Sequence, residues 1–579
     1  MARRCRSRSV VRSAKRRAMG ALPDHSAAEE RAARIAESLE RAAADGACIW
    51  PDEDAWRPKA QFDVYYRLQQ VVPRSEWREF GESLQKPLPV TFRYTASADD
   101  AYRAEGERYL AAWEAKGWGT RRLGVVRGWQ LHMDKHELRA ASAGSEQAEV
   151  REWLIRGTDS GKLIRQEVAS MLPACLVDVQ PGEKVLDMCA APGSKTTQLL
   201  EMLHKPGAST KDFEDIGGLV VANDLDSIRG HTLVKRTASL GLRAAALVVT
   251  QHRAQFMPRW PTASPTGGFD KIVCDVPCTG DGTTRKHPEV FKRWEVAHAL
   301  RQHSVQLNIA LRGVALLRVG GTMCFSTCSL NPIENEAVVA EVLRRCGGAV
   351  ELVDGASRVA DELTCGSSPG MTWWGVHDFR LVKHDSLADL RAAADVGKGE
   401  SVLYQESMWP PDDAKLRAQL TKCVRLLPHK SDTGGFFSAL LRKKRLLPLE
   451  AKQPSASSTK ADAPFGDADS GGCKTNARGM KDLSPYSLVS EEVHRELGVT
   501  QAMRNRIFAR STLAPCVVCI NCVAEECIRP GSRMNVVHAG VTIAKRRRLK
   551  KPPRIGTGRH TLGRYRLTEI GKQILQPKT

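Results

Sequence analysis

The chain has 579 residues, 42% of them apolar, which is enough for more than one packed domain and excludes a small module stapled by disulfides or metal. Its 87 lysines and arginines outnumber the 66 acids, a balance that favours polyanionic partners through counterion release, nucleic acid first. No run approaches the ~18 apolar residues of a membrane span, and the N-terminus lacks the apolar centre of a secretory signal. The 16 cysteines are therefore expected as thiols in a reducing compartment.

Taken in chain order, residues 1–26 read as a basic disordered arm. The first twenty contain eight Lys or Arg, among them Arg3, Arg4, Arg16 and Arg17, and no acid. Such a segment suits a nuclear or nucleolar address, or a mitochondrial presequence. Residues 27–165 read as a helical region, opening on a charged helix over 27–45. It carries Trp77, Trp113, Trp118 and Trp129 and one strand candidate, LPVTFRY, around Val90.

From Pro181 the pattern changes to short apolar runs separated by helices, the mark of a parallel sheet covered on both faces. Strands are predicted at 184–190, 218–224, 245–250, 269–277, 321–329 and 434–444, with helices over 195–204, 226–240, 297–317 and 332–345. This is a doubly wound α/β domain, assigned to 166–446. A Pro-, Ser- and Gly-rich linker follows over 447–482, and a short basic region closes the chain over 483–579.

The first strand of this domain ends at Asp187 and runs through Cys189, Ala190, Ala191, Pro192 and Gly193 into a helix opening at Ser194. Small residues at a strand-to-helix turn let backbone amides approach a ligand. The phosphate-loop pattern G-x-x-x-x-G-K-[ST] is absent, which argues against an NTPase, and so is the dinucleotide pattern G-x-G-x-x-G. The second strand ends at Asp224, suited to accept hydrogen bonds from ribose hydroxyls. A ribose-binding acid without a pyrophosphate loop suits S-adenosylmethionine better than NAD.

The fourth strand ends in Asp275-Val276-Pro277-Cys278 and the fifth in Ser326-Thr327-Cys328. Ligands bind beyond the carboxyl ends of such strands, so both thiols are predicted to meet in the cofactor crevice. Paired thiols suit methylation of cytosine at carbon 5, because that carbon becomes nucleophilic only after a thiolate adds to carbon 6. Asp275 is the candidate to hold the base edge, and Lys195 to help the ring accept charge. An amino-group methyltransferase would carry Asp or Asn, Pro, Pro and an aromatic residue where this chain reads DVPC. The residues by themselves do not rank the two cysteines.

The stretches VLDMCAAPGSKTTQLLEMLH (185–204), ANDLD (222–226), CDVPCTGDGTTRK (274–286), STCSLNPIENEA (326–337) and LLPHKSDTGGFF (426–437) closely resemble the Sun-type RNA cytosine-5 methyltransferases, specifically the eukaryotic tRNA branch. The resemblance runs from about Phe62 to Lys444. It implies a Rossmann-like class I methyltransferase domain, a smaller N-terminal RNA-binding region and a short C-terminal appendage. It further implies S-adenosylmethionine as cofactor and RNA, above all tRNA, as partner; from the basic runs and the lack of an apolar span, a nuclear chain away from membranes is expected, working as a monomer.

By the same resemblance Cys328 is the nucleophile and Cys278 assists product release, while Cys189 to Lys195, Asp224, Arg229 and Asp275 line the cofactor pocket. Where the family has an Asp that contacts the adenine amino group, this chain reads Gln251-His252-Arg253, so His252 takes the acidic position. A neutral imidazole there accepts one hydrogen bond, and a protonated one accepts none.

RNA phosphates are assigned to Arg285, Lys286, Lys292 and Arg293 and to the Trp-bearing N-terminal region. In the tail, SLVSEEVHREL and RMNVVHAGV resemble fragments of the family's C-terminal RNA-binding domain. Between them Cys516, Cys519, Cys522 and Cys527 form a C-x2-C-x2-C-x4-C run. No metal is assigned to it, because the spacing is too tight for an ordinary structural zinc site and the flanks are apolar. The run Lys545 to Lys551 reads as a nuclear address or an RNA contact. The rival function is an RNA-binding or ribosome-assembly factor without catalysis, or the same chemistry on rRNA or mRNA.

Overall fold

The computed structural model describes residues 60–447 apart from 96, 125–127, 204–217, 261–266, 358 and 360–364, and beyond 447 only 487–488, 507–509, 516–519, 534–539, 541–546 and 565–567. The N-terminal arm, the charged helix over 27–45, most of the linker, and Cys522 and Cys527 lie outside the described residues.

Four strands, β1 (Pro89–Tyr94), β2 (Thr120–Leu123), β3 (Gly128–Asp134) and β4 (Leu163–Arg165), form an antiparallel sheet in the order β2-β3-β1-β4. Helices Asp100–Ala115 and Glu146–Asp159 accompany it, each opened by a side-chain cap, Asp99 and Ser145 respectively. This region was expected to be helical with one strand. It is a mixed unit, because β2 (TRRL) and β4 (LIR) are too short and polar to show an alternation and are held by their partners instead. Its core is aromatic: Phe92, Tyr94, Tyr102, Trp113, Trp129 and Trp153 pack together.

The second sheet begins with β5 (Lys184–Asp187), β6 (Leu219–Asn223), β7 (Leu247–Thr250), β8 (Phe269–Asp275) and β9 (Leu317–Thr327), all mutually parallel in the order β7-β6-β5-β8-β9. Adjacent residues serve opposite faces. Leu186, Val221, Val248 and Ile272 pack with the long helix Val296–Leu316 and with Glu336–Cys346. Their neighbours Val185, Val220, Val249 and Val273 pack with helices Val168–Val177 and Ser194–Met202. Strands buried on both faces read as continuous apolar runs, which is why they were legible.

Four short strands follow, β10 (Val350–Val353), β11 (Ser368–Pro369), β12 (Val376–His377) and β13 (Lys383–His384), then β14 (Val424–Leu426) and β15 (Phe436–Lys443). β15 lies against β9 and pairs with it antiparallel, and β14 and β10 pair antiparallel with β15. The predicted last strand is therefore reversed relative to the parallel core. The connection 427–435 joins β14 to β15 and is too short for a parallel crossover, so that pair too is antiparallel.

Beyond the linker, β16 (Ser487–Leu488), β17 (Ile507–Ala509) and β18 (Cys516–Cys519) are followed by β19 (Val536–Ala539), β20 (Val541–Arg546) and β21 (Tyr565–Leu567). All but β19 build a small antiparallel sheet. β19 departs from it to pair with β7, so the larger sheet takes its outer strand from far beyond residue 446. No helix among the described residues is long and apolar enough to cross a membrane.

Candidate active site

β5 to β9 end on one rim, and the crevice opens where the order reverses between β5 and β8. After Asp187 the chain turns through Ala190 and Ala191 to Gly193, which has φ 102° and caps the helix Ser194–Met202. A Cβ at Gly193 would press on Leu233 at 3.2 Å in a backbone conformation that side chains avoid. Thr196 of that helix donates its hydroxyl to Asp187 at 2.7 Å, and burial pushes the Asp187 carboxyl up to about 7.

Asp224, at the tip of β6, accepts the Ala191 amide on Oδ2 and the Asp226 amide on Oδ1, each at 3.0 Å. Each oxygen keeps a second lone pair for a hydroxyl donor. Arg229 reaches back to the Ala191 carbonyl at 2.7 Å and stands 3.7 Å from the Asp224 carboxylate. Leu225 is 61% and Ile228 76% exposed, an apolar pair beside the acid that solvent alone does not explain.

At the tip of β7 the turn 251–253 is tied on two sides. Asn223 accepts the His252 amide at 2.9 Å and donates to the His252 carbonyl at 3.0 Å. From the tail, Asn535 accepts the Gln251 amide at 2.9 Å, and the Asn535 amide donates to His252 Nε2 at 2.9 Å. Burial lowers the imidazole to about 4, so it is neutral near pH 7, with Nε2 as the acceptor and the proton on Nδ1. The acceptor that the sequence reading left for adenine is thus engaged by the backbone of the tail.

Across the switch point, Lys195 Nζ lies 2.7 Å from Asp275 Oδ2 and 3.2 Å from Ser170 Oγ, while Ser326 Oγ donates to Asp275 Oδ1 at 2.7 Å. Burial draws the Lys195 ammonium down, but the Asp275 carboxylate outweighs it, so the net shift is upward and the lysine stays charged. Cys278 and Cys328 approach to 3.3 Å between sulfurs, as their strand-end positions predict. The Cys278 thiol is pushed well above its ordinary value, first by its hydrogen bond to Cys328, then by burial and by the Cys328, Glu334 and Asp275 charges. Cys278 is therefore the member of the pair held toward its protonated form.

The loop after Cys278 is packed tightly against its surroundings. The Gly282 amide donates to the Cys328 carbonyl at 2.9 Å, and a Cβ on Gly282 would meet the Gly435 carbonyl oxygen at 2.3 Å. Asp281, buried next to it, accepts from Leu330 N at 2.7 Å and Trp294 Nε1 at 3.1 Å, and from the Tyr66 hydroxyl. Sequence reasoning missed Ser170, Ser326, Glu334 and Asn535. Only Glu334, one of two acids with Glu336 in the otherwise apolar and amide-rich stretch 330–340, gave a visible signal.

One RNA assignment needs correction. Arg285 is only 7% exposed, and its guanidinium donates to the carbonyls of Lys86, Pro87 and Thr433 and to Asp432. Its donors are spent on joining the N-terminal unit to the loop 432–433, leaving no exposed face for phosphate. In the N-terminal region Trp77, Trp113 and Trp129 are buried, and Trp118 packs on the aromatic core. Lys286, Lys292 and Arg293 are exposed. A groove of 1290 Å³ lined by Trp373, Lys383, Arg391 and Trp409 holds none of the site residues, so chemistry rather than volume locates the site. For the four-cysteine run, only the backbone of Cys516–Cys519 falls within the described residues.

Residues 174–442, which carry both thiols and both nucleoside-side loops, match the family described as "16S rRNA methyltransferase RsmB/F". The resemblance read from the motifs is borne out, and so is the doubly wound α/β class. The chain is 36% identical over 448 residues to a tRNA (cytosine(34)-C(5))-methyltransferase of Drosophila melanogaster, covering 70% of this chain and 57% of that protein. It is 37% identical over 406 residues to a multisite-specific tRNA:(cytosine-C(5))-methyltransferase of Saccharomyces cerevisiae, covering 66% and 55%. It thus spans little more than half the length of these relatives. A crystal structure of a methyltransferase homolog protein from Pyrococcus horikoshii aligns with 66% of this chain and 95% of its own, at 23% identity and a TM-score of 0.43.

Proposed function

We propose that the protein methylates carbon 5 of cytosine in RNA, with S-adenosylmethionine as donor and tRNA as substrate. The observation that carries this reading is the 3.3 Å approach of Cys278 to Cys328 beside the Asp275–Lys195 ion pair. A scaffold protein has no use for two thiols and a charged pair on one rim, which argues against the non-catalytic rival.

The residues present fit the donor. The turn Ala190–Gly193 is lined by small side chains, Asp224 keeps acceptor capacity for ribose hydroxyls, and Leu225 and Ile228 offer apolar surface next to it. When bound, S-adenosylmethionine supplies an electrophilic methyl group on a positively charged sulfur. Cys328 is the nucleophile: its thiolate adds to carbon 6 of the base, and the electron pair of the 5,6 double bond becomes available at carbon 5. Asp275 and Lys195 hold the base edge and offset the charge that develops on the ring. After methylation the carbon-5 proton passes to solvent water, its bonding pair restores the 5,6 double bond, and Cys328 leaves carbon 6 as a thiolate with Cys278 beside it.

RNA as substrate is supported by the excess of basic residues and by a cleft of about 610 Å³ next to the loop 284–288, where Lys135, Arg165 and Lys286 offer cations to phosphates. The preference for tRNA is supported by the likeness to the two tRNA methyltransferases of Drosophila melanogaster and Saccharomyces cerevisiae. The test is incubation of tRNA with S-adenosylmethionine and Cys variants. Cys328→Ala should abolish methyl transfer while RNA binding persists, and Cys278→Ala should accumulate a covalent protein–RNA band in a denaturing gel. Accumulation in Cys328→Ala instead would exchange the two roles, and full activity of that variant would remove the covalent mechanism.

A further inference from the structure

Glu334 stands outside every role assigned so far. It is fully buried, and its carboxylate takes four hydrogen bonds. Oε1 accepts the Thr279 amide at 3.0 Å and Gln306 Nε2 at 2.9 Å, and Oε2 accepts the Thr279 and Ser329 hydroxyls, both at 2.6 Å. Thr279 follows Cys278 directly and Ser329 follows Cys328 directly. Their hydroxyls also bond each other at 3.1 Å, and Gln306 holds the Pro277 carbonyl, just before Cys278, at 3.0 Å.

One carboxylate thus ties together the backbone on the far side of both thiols. The strands bring both loops to one rim, but β8 stops at Asp275 and β9 at Thr327, so Glu334 supplies its ties just past both strand ends. Burying a carboxylate is costly unless each lone pair finds a donor, so an arrangement this complete points to a geometric purpose.

We propose that Glu334 is a positioning residue for the thiol pair, holding Thr279 and Ser329 so that the Cys278 and Cys328 sulfurs stay in contact. This rests on the reading of the pair as reactive thiols, and it deepens that reading without depending on the RNA substrate. The groups that face Glu334 are Asp281, Cys278, Tyr65 and Tyr66. Burial and the Asp281 charge push its carboxyl up to about 7, against the pull of its Ser329, Thr279 and Gln306 donors. Its negative charge in turn adds to the forces that keep Cys278 protonated.

The test uses the full chain and needs no RNA. Diamide, a diazene oxidant, takes two electrons and two protons from two thiols in contact, leaving a disulfide and a hydrazine. Peptide mapping by mass spectrometry follows formation of the Cys278–Cys328 disulfide in wild type, Glu334→Ala and Glu334→Gln. Glu334→Ala should slow this bond by at least about tenfold, since misplacement by an ångström has effects of that order. Glu334→Gln, which can still accept from the Thr279 amide and donate to the hydroxyls, should restore it. With its charge gone, alkylation of Cys278 by iodoacetamide should also move to lower pH.

Single-turnover methylation should fall in parallel in Glu334→Ala with the RNA KM unchanged. Disulfide formation at the wild-type rate in Glu334→Ala overturns the proposal. So does failure of Glu334→Gln to rescue. If Glu334→Ala does not fold, the pair Thr279→Val with Ser329→Ala removes the same ties and is read in the same way. A wild-type chain that makes the disulfide with this dependence on Glu334 but methylates no RNA would sink the functional reading and leave the clamp standing.

Discussion

The two ends of the crevice are built on different plans. At the thiol end, every group that positions Cys278 and Cys328 comes from the doubly wound domain or the helix before it, within continuous motifs such as 274–286 and 326–337. At the nucleoside end, the turn 251–253 is shared between Asn223, close by in the same domain, and Asn535, which arrives from the tail. The chemistry is self-contained, whereas the cofactor side depends on a segment hundreds of residues away. A site of this kind can lose donor affinity without losing its catalytic geometry.

The largest effect expected is on the stability of the thiol end. Arg425 and Glu336 form a buried pair at 2.7 and 2.5 Å, and the same guanidinium holds the Leu330 carbonyl at 2.9 Å behind the Cys328 loop. Arg425→Met leaves the Glu336 carboxylate buried without its cation and should cost about 3–5 kcal/mol in urea unfolding. Arg344→Ala removes the exposed one of two arginines on Glu341, which Arg345 still holds, and should cost about 1 kcal/mol or less by the same measurement.

Next in size, Lys195→Met should lower single-turnover methylation roughly 10²–10³-fold while the donor still binds, the scale expected for loss of one charge aimed at the transition state. If it weakens donor binding and leaves the rate intact, Lys195 belongs to the other end of the crevice and the division drawn above fails.

At the nucleoside end, Val536→Asp puts a charge into the buried face of β19 and should unseat the strand. The expected result is roughly tenfold weaker S-adenosylmethionine binding by calorimetry, a coupling of about 1–2 kcal/mol, with an unchanged rate at saturating donor. A fall in rate and affinity together would show that the two ends are not independent.

The smallest effect is a pH dependence. His252 titrates near 6.5 when free and about 4 when buried under the tail. Docking of β19 is therefore fully favoured above pH 6.5 and weakens as pH falls from there toward 4, because the released imidazole binds a proton and the docked one does not. Hydrogen exchange of the Val536–Ala539 amides, corrected for intrinsic rate, should accelerate over that window while β6 stays protected.

The sequence showed the thiol end well and the nucleoside end poorly, and the reasons are physical. Even at the nucleoside end the strands themselves were legible, because β6 (LVVAN) and β7 (LVVT) are sandwiched between helices and are apolar up to the polar residue at each tip. β14, with three residues, and β10, with four, carry too little pattern to be read, and the helix Val168–Val177 holds Pro173 in its interior. The segment RMNVVHAGV has an evident strand character, but nothing in it says which sheet it joins. Pairing with β7 is a long-range choice, set by which edge is open. Arg285 misled for a similar reason: a cation in a glycine-rich loop looks the same on paper whether it meets phosphate or four oxygens of its own chain.

The placement of β19 has a consequence for how the protein comes into being. β7 would otherwise end the sheet with a row of free amide and carbonyl groups, a template for pairing with another molecule. During synthesis the groups of β5 to β9 can assemble as soon as residue 327 has emerged, yet this border stays uncovered until residue 539 has followed. Nascent or truncated chains that stop near residue 446 would carry both thiols, the Asp275–Lys195 pair and an unguarded edge. Their expected fate is association with one another, and a soluble, monomeric fragment requires the tail as much as the domain it closes.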